Sequence, residues 1–140
     1  MSAEGSLHRA HVTWAGDRDD LRAHTLRLGE QVVSGSSATA RGGDPAKADP
    51  EELFVGALSS CHMLWFLDFA RRERLRVEAY EDDAEGEMDG VRFVRVTLRP
   101  RVEWRDGPPP DTLLAAIHER AHAACFVANS VTCSVEVAPP

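Results

Sequence analysis

The chain has few cysteines, and we expect neither a signal peptide nor a membrane span in it. Its three cysteines are an odd number without the spacing of a disulfide framework, so we expect cytoplasmic thiols and not structural bridges. No basic leader precedes an apolar run, which argues against a signal peptide. Polar residues interrupt the longest apolar stretch, 54–69, which therefore predicts a buried helix and not a membrane span.

A basic surplus is also missing. The formal net charge is −7, whereas a nucleic-acid-binding protein normally carries a basic face. The sequence has no internal repeat, and its 140 residues suit one hydrophobic core. We therefore expect a single domain over residues 1–140 that binds neither nucleic acid nor a membrane.

The order of alternating and helical patterns predicts the fold class. Strand patterns occur at 7–14, 21–33, 76–87, 94–104 and 131–137. The third and fourth are joined by an Asp89-Gly90 turn, the fourth is broken at Pro100, and 34–49 is expected to be a loop. Strands segregated around two helices predict an α+β domain. Because the first helix is apolar nearly all round, we expect the chain to complete its core by dimerising.

Both helices have recognisable starts. Asp49 is a good N-cap, Pro50 suits the first helical position, and Glu52 is placed for a capping box, so the first helix is predicted from there to about Arg72. The second helix is predicted from a cap at Asp111 to near 129.

The first helix carries Cys61. A lone cysteine on an apolar helix usually behaves as a small buried hydrophobe, and no residue on the same helix turn supplies a fixed positive charge to lower its pKa. The polar neighbours Ser59, Ser60 and His62 are a small indication of a site. Cys133 is in phase with the apolar residues of the last strand, so we assign it to the core.

The second helix carries Cys125. His118 and His122 lie seven and three residues before it and share its face, which leaves a zinc site completed by Cys61 or His62 as a rival interpretation. The spacing lacks a paired C-x-x-C or an HExxH signature. The simpler interpretation is that both histidines face solvent.

Two segments together resemble a known family. PEELFVGALSSCH at 50–62 resembles the first signature of the osmotically inducible protein C and organic hydroperoxide resistance (OsmC/Ohr) family, and HAACFVANS at 122–130 resembles its second. The separation of Cys61 from Cys125 and the order of elements are also similar. The resemblance implies an OsmC-like fold, with antiparallel strands around two helices, in an intertwined homodimer with two sites at its interface.

The resemblance further implies a thiol-dependent peroxidase of peroxide-stress defence. Cys61 would attack the peroxide, Cys125 would resolve the sulfenic acid as a disulfide, and an external dithiol would reduce that disulfide, with no metal or cofactor. Glu51 matches the assisting carboxylate of the family. The assisting arginine is expected in the N-terminal strands, where we prefer Arg22 to Arg18 because Arg18 stands among three aspartates.

Helix geometry constrains the role of Glu51. Ten residues of unbroken helix place it ~15 Å from Cys61, so either the helix breaks or Glu51 serves Cys61 of the partner, and we expect the second. The apolar residues Leu58, Leu64 and Trp65 suit an organic hydroperoxide better than hydrogen peroxide.

Three departures from the organic hydroperoxide resistance branch indicate the general OsmC branch: His62 after the cysteine, the acidic segment 80–88, and TLRPRV in the long strand at 97–102. The alternative function is a non-catalytic protein of this fold that binds a ligand or zinc.

Overall fold

A computed structural model describes residues 5–138 of the chain. The chain divides into two compact units, residues 1–53 and 54–140. The long helix begins in the first unit and continues into the second. This division by contacts does not test the expectation of a single domain, which stays a prediction.

The first unit holds a three-stranded antiparallel sheet. Its strands are β1 (His11–Thr13), β2 (His24–Leu28) and β3 (Gln31–Gly35), in that order across the sheet. The first strand is shorter than the predicted 7–14, while 21–33 resolves into two strands, as its loose alternation allowed. The expected loop follows, with one 3₁₀ turn at Thr39–Arg41.

Helix α1 (Pro50–Arg72) begins at the predicted capping box. The Glu52 amide donates to Asp49 Oδ1 at 2.7 Å, and the Asp49 amide donates to Glu52 Oε1 at 2.9 Å. The two side chains thus satisfy two backbone donors that the helix start would otherwise leave unpaired.

The second unit contains two small sheets. The strands are β4 (Val77–Asp82), β5 (Glu85–Asp89), β6 (Arg92–Leu98), β7 (Pro100–Trp104) and β8 (Ser134–Val137). Strands β4 and β7 pair antiparallel, β5 and β6 pair antiparallel across the predicted Asp89-Gly90 turn, and β8 joins β6 in parallel. The break at Pro100 is confirmed, because proline cannot donate a ladder hydrogen bond.

Helix α2 (Asp111–Ala124) differs from its prediction at both ends. The N-cap is Pro110, with no side-chain cap, so the prediction of a cap at Asp111 is wrong. The helix ends at Ala124, and a 3₁₀ turn follows at Ala128–Ser130. Cys125 is therefore the C-cap residue, with extended φ and ψ of −65° and 113°, and does not lie within the helix.

The core of the second unit has two clusters. One is built on the buried residues Phe66, Phe69, Ala70, Ile117 and Ala121, and the other on Leu58, Val96 and Leu98. Burying a side chain of the size of Phe66 or Leu58 contributes roughly 1.5–3 kcal/mol. Length and apolar composition alone would let α1 cross a membrane, but α1 supplies buried residues to both clusters, which agrees with a core helix.

Candidate functional site

The fold brings Cys61 and Cys125 together. Cys61 lies close enough to Cys125 to raise the pKa of the Cys125 thiol, and neither cysteine is in a disulfide. Cys61 comes from the middle of α1, and Cys125 comes from the turn that ends α2. Two thiols in contact can form a disulfide without a large movement of the backbone.

The two thiols differ in access. Cys125 is 1% exposed, whereas Cys61 is partly exposed. Burial raises the pKa of Cys125 to about 11, the Ala128 amide partly offsets the rise, and the contact with Cys61 adds to it. Cys125 is therefore a neutral thiol at pH 7, while Cys61 is the sulfur that a molecule from solvent can reach.

Local hydrogen bonds hold Cys125 in its turn. The Ala128 amide donates to Cys125 Sγ at 3.4 Å. Asn129 donates to the Cys125 carbonyl from both its backbone amide, at 3.0 Å, and its side chain, at 2.9 Å. The Asn129 side chain also donates to the Ala123 carbonyl at 3.0 Å. These bonds replace the helical ones lost after Ala124 and fix the cysteine relative to α2.

An imidazole pair lies beside the thiols. His62 Nε2 and His118 Nδ1 share one proton in a hydrogen bond of 3.0 Å, and the rings are nearly parallel, at 7°. His62 is 1% exposed. Burial lowers the pKa of both histidines to about 4. The expectation that His118 faces solvent is wrong, since it turns toward α1, whereas His122 is exposed.

Further polar groups lie near this pair, and no local sequence pattern predicts them. Asp82 at the end of β4 accepts from Ser59 Oγ at 2.5 Å and from the Arg99 amide at 2.6 Å. The charge of Asp82 acts against the lowering of the His118 pKa. The Tyr80 hydroxyl is buried without a hydrogen-bond partner in residues 5–138, and burial raises its pKa. The acidic segment 80–88, which contains both Tyr80 and Asp82, indicated only the general OsmC branch.

The zinc interpretation finds no ligand set. Within residues 5–138, no group of three or more His, Cys, Asp or Glu side chains could hold a metal ion. His62 Nε2 and His118 Nδ1 are instead engaged in a hydrogen bond with each other.

Glu51 lies in the first turn of α1 and is partly buried. The capping box uses Glu52, as predicted, so the Glu51 carboxylate is not needed there. Helix α1 is unbroken from Pro50 to Arg72. Of the two routes by which Glu51 could serve a thiol site, a break in the helix is therefore excluded.

Arg22 is held in place within the first unit. Its Nε donates to the Arg41 carbonyl at 2.5 Å. Its backbone amide donates to Asp20 Oδ1, and the bonds from Ala23 and Arg22 lower the pKa of that carboxyl. Gly42 has φ +82°, and a Cβ there would lie 3.4 Å from Arg22 Nε. Arg18, by contrast, makes no side-chain hydrogen bond within the described part of the chain. This difference supports Arg22 as the better-fixed cation.

Apolar side chains flank the thiols on the solvent side. Leu64 and Trp65 follow Cys61 by three and four residues, so they lie on its side of α1. Leu64 is 60% exposed and Phe126, next to Cys125, is 48% exposed. Phe126 meets Trp65 edge to face, with ring centroids 5.5 Å apart. A separate groove of about 1150 Å³ runs along α2 and β7, and neither cysteine lines it.

The family model described as OsmC-like protein matches residues 42–139. The chain belongs to the OsmC-like family.

Comparisons with individual proteins agree on the fold. An OsmC-like protein of unknown function from Vibrio cholerae is 36% identical, with a TM-score of 0.84 over 95% of this chain and 98% of that one. An organic hydroperoxide resistance protein from Elizabethkingia anophelis is 16% identical, with a TM-score of 0.72 over 97% and 99%. The uncharacterized protein YmaD of Bacillus subtilis is 24% identical over 90% of this chain and 87% of its own length.

Proposed function

We propose that this chain is a thiol-dependent peroxidase that reduces organic hydroperoxides in defence against peroxide stress. The observation that carries the proposal is the contact between the partly exposed Cys61 and the buried Cys125. Membership of the OsmC-like family supports it. Among structural neighbours, the protein from Elizabethkingia anophelis bears the name organic hydroperoxide resistance protein.

The difference in access supports one division of roles between the two cysteines. A peroxide from solvent meets Cys61, whose thiolate attacks the O–O bond, so that Cys61 becomes a sulfenic acid and an alcohol leaves. Cys125 then attacks the Cys61 sulfur, the S–O bond breaks, and water leaves with the Cys125 proton. An external dithiol reduces the resulting disulfide by thiol–disulfide exchange. Protein sulfur gives two electrons to the peroxide and regains two from the external dithiol, so the cycle needs no metal.

The surroundings of Cys61 favour a peroxide with an apolar group. Leu64 and Phe126 present exposed apolar surface beside the thiols, and covering such surface contributes about 25 cal/mol per Å². Hydrogen peroxide cannot gain this contribution. We therefore propose an alkyl or lipid hydroperoxide as the preferred substrate.

The test is peptide mapping and intact mass of the reduced protein after slightly more than one equivalent of cumene hydroperoxide. We expect a Cys61–Cys125 disulfide within seconds, with Cys133 still reduced. Thiols that stay unchanged for minutes would show that the chain has the fold of the family without this activity, and a search for a bound ligand would then follow.

We also propose that the site is completed across a homodimer, with Glu51 acting on Cys61 of the partner. Helix α1 is unbroken, and the ten residues between Glu51 and Cys61 of one chain span ~15 Å along it.

The proposal predicts that two inactive variants complement each other in a mixed dimer. Glu51→Gln and Cys61→Ser homodimers should both be nearly inactive, and a mixed dimer should regain one working site. Mixing and re-association of tagged chains, followed by a peroxidase assay, measures this. An active monomer, or a mixed dimer as inactive as its parents, would contradict the proposal.

A further inference from the structure

A hydrogen bond between the buried His62 and the partly buried His118 joins α1 to α2, and the two thiols meet between α1 and the C-cap of α2. His62 follows Cys61 directly on α1, and His118 lies about two helical turns before Cys125, ~10 Å along α2. The bond between His62 Nε2 and His118 Nδ1 is 3.0 Å. Cys61 and His62 of α1 therefore meet Cys125, at the C-cap of α2, and His118, within α2, in the same interface.

The imidazole bond restrains this interface because the buried His62 ring cannot exchange its partner for solvent. His62 is 1% exposed, and His118 stacks on the buried Phe66 with centroids 4.5 Å apart. Leaving a buried polar group without its partner costs about 1–3 kcal/mol. A sliding or rotation of α2 against α1 that parted the rings would carry this cost.

Strand β4 also contributes a neighbour to the imidazole pair. Ser59 lies one turn before His62 on α1 and donates to Asp82 on β4, and the charge of Asp82 acts on His118. At the C-terminal end of α2, the hydrogen bonds from Ala128 and Asn129 fix Cys125 to the helix. The position of Cys125 Sγ relative to Cys61 thus follows from the position of α2 relative to α1.

We propose that His62 and His118 are positioning residues that hold α1 against α2 so that Cys61 and Cys125 stay in contact, and that they thereby set the rate of disulfide formation after Cys61 is oxidised. The proposal rests on the proposed peroxidase function for its kinetic part. The positioning itself concerns only the two thiols of the reduced protein. In the step that is accelerated, Cys125 sulfur bonds to Cys61 sulfur as water leaves.

The test compares three single variants on α2. His118→Leu removes the partner of His62, His118→Asn places an amide near the position of Nδ1, and His122→Leu removes an exposed imidazole one turn away as the matched control. The first measurement is the equilibrium between the dithiol and the Cys61–Cys125 disulfide in glutathione buffers, which needs no peroxide. The second is the rate of disulfide formation after cumene hydroperoxide, followed beside the rate of sulfenic acid formation.

We expect His118→Leu to lower the effective concentration of the two thiols about tenfold and to slow disulfide formation by a similar factor. Sulfenic acid formation should stay within about twofold of wild type. His118→Asn should recover most of the loss, and His122→Leu should match wild type. A general loss of stability would not produce this split between two steps of one reaction.

Two results would overturn the proposal: a His118→Leu protein with unchanged glutathione equilibrium, or an Asn variant no better than the Leu variant. If His118→Leu does not fold, the double variant His62→Leu/His118→Leu removes both partners and is expected to show the same tenfold loss. If the wild-type protein does not react with peroxide, the proposed function is refuted but the positioning role is not. The glutathione equilibrium would still measure how closely the two thiols are held.

Discussion

Replacing Cys61 with serine should lower peroxide turnover at least ~1000-fold, the scale on which loss of a nucleophile lowers kcat. A serine hydroxyl is not ionised at neutral pH and cannot take the sulfenic acid oxidation state. Replacing Cys125 with serine should have a different effect. That variant should consume one equivalent of peroxide per chain and then stop, with Cys61 left as a sulfenic acid, because no second thiol remains to displace water.

Cys133→Ala is the matched control for these variants. Cys133 packs against the cluster of Leu58, Val96 and Leu98 and has no part in the proposed chemistry. The turnover of Cys133→Ala should equal that of wild type. Turnover is measured as consumption of cumene hydroperoxide with a dithiol reductant, and a dione reagent traps the sulfenic acid. Full activity in Cys61→Ser, or a sulfenic acid on Cys125, would refute the assignment of roles.

Acid should destabilise the protein through the imidazole pair. The pKa of His62 is about 4 in the folded chain against an ordinary value of 6.5. Because the unfolded chain takes up a proton near pH 6.5 and the folded chain only near pH 4, acid favours unfolding across that window. Above about pH 6.5 both states are neutral and the effect is absent. For His62 the loss of stability by pH 4 is roughly 3 kcal/mol.

Charged neighbours modify this titration in opposite directions. His118 and then His122 add to the lowering of the His62 pKa, whereas Asp82 favours protonation of His118. Urea unfolding between pH 7.5 and 5 measures the free energy of unfolding. The double variant His62→Leu/His118→Leu should show a flatter dependence on pH, because its two side chains do not titrate. Equal slopes in both proteins between pH 6.5 and 5 would contradict the prediction.

The helix start and the turns were readable from local sequence. The Asp49 and Glu52 capping box and the Asp89-Gly90 turn depend on residues within four positions of each other. The end of α2 was misjudged because its apolar pattern continues through 125–128. The hydrogen bonds from Ala128 and Asn129 stop the helix there, and they depend on a turn that periodicity does not reveal.

The two cysteines were identified from separate motifs, but neither motif shows how far each cysteine is exposed to solvent. That Cys125 is buried and Cys61 is partly exposed follows from packing in the second unit. The roles of Glu51 and Arg22 stay predictions, and that of Glu51 depends on the pairing of two chains.

The sequence by itself determined the α+β class, the family and the two thiols, since periodicity, caps and motif spacing are properties of the chain read in order. Only the tertiary structure decided that His62 and His118 are joined by a hydrogen bond, that the charge of Asp82 acts on His118, and that one thiol is reachable and the other is not. Each of these depends on α1, α2 and β4 meeting in space. Burial and hydrogen bonding between residues far apart in the chain have no local signature, because they arise only when the elements pack.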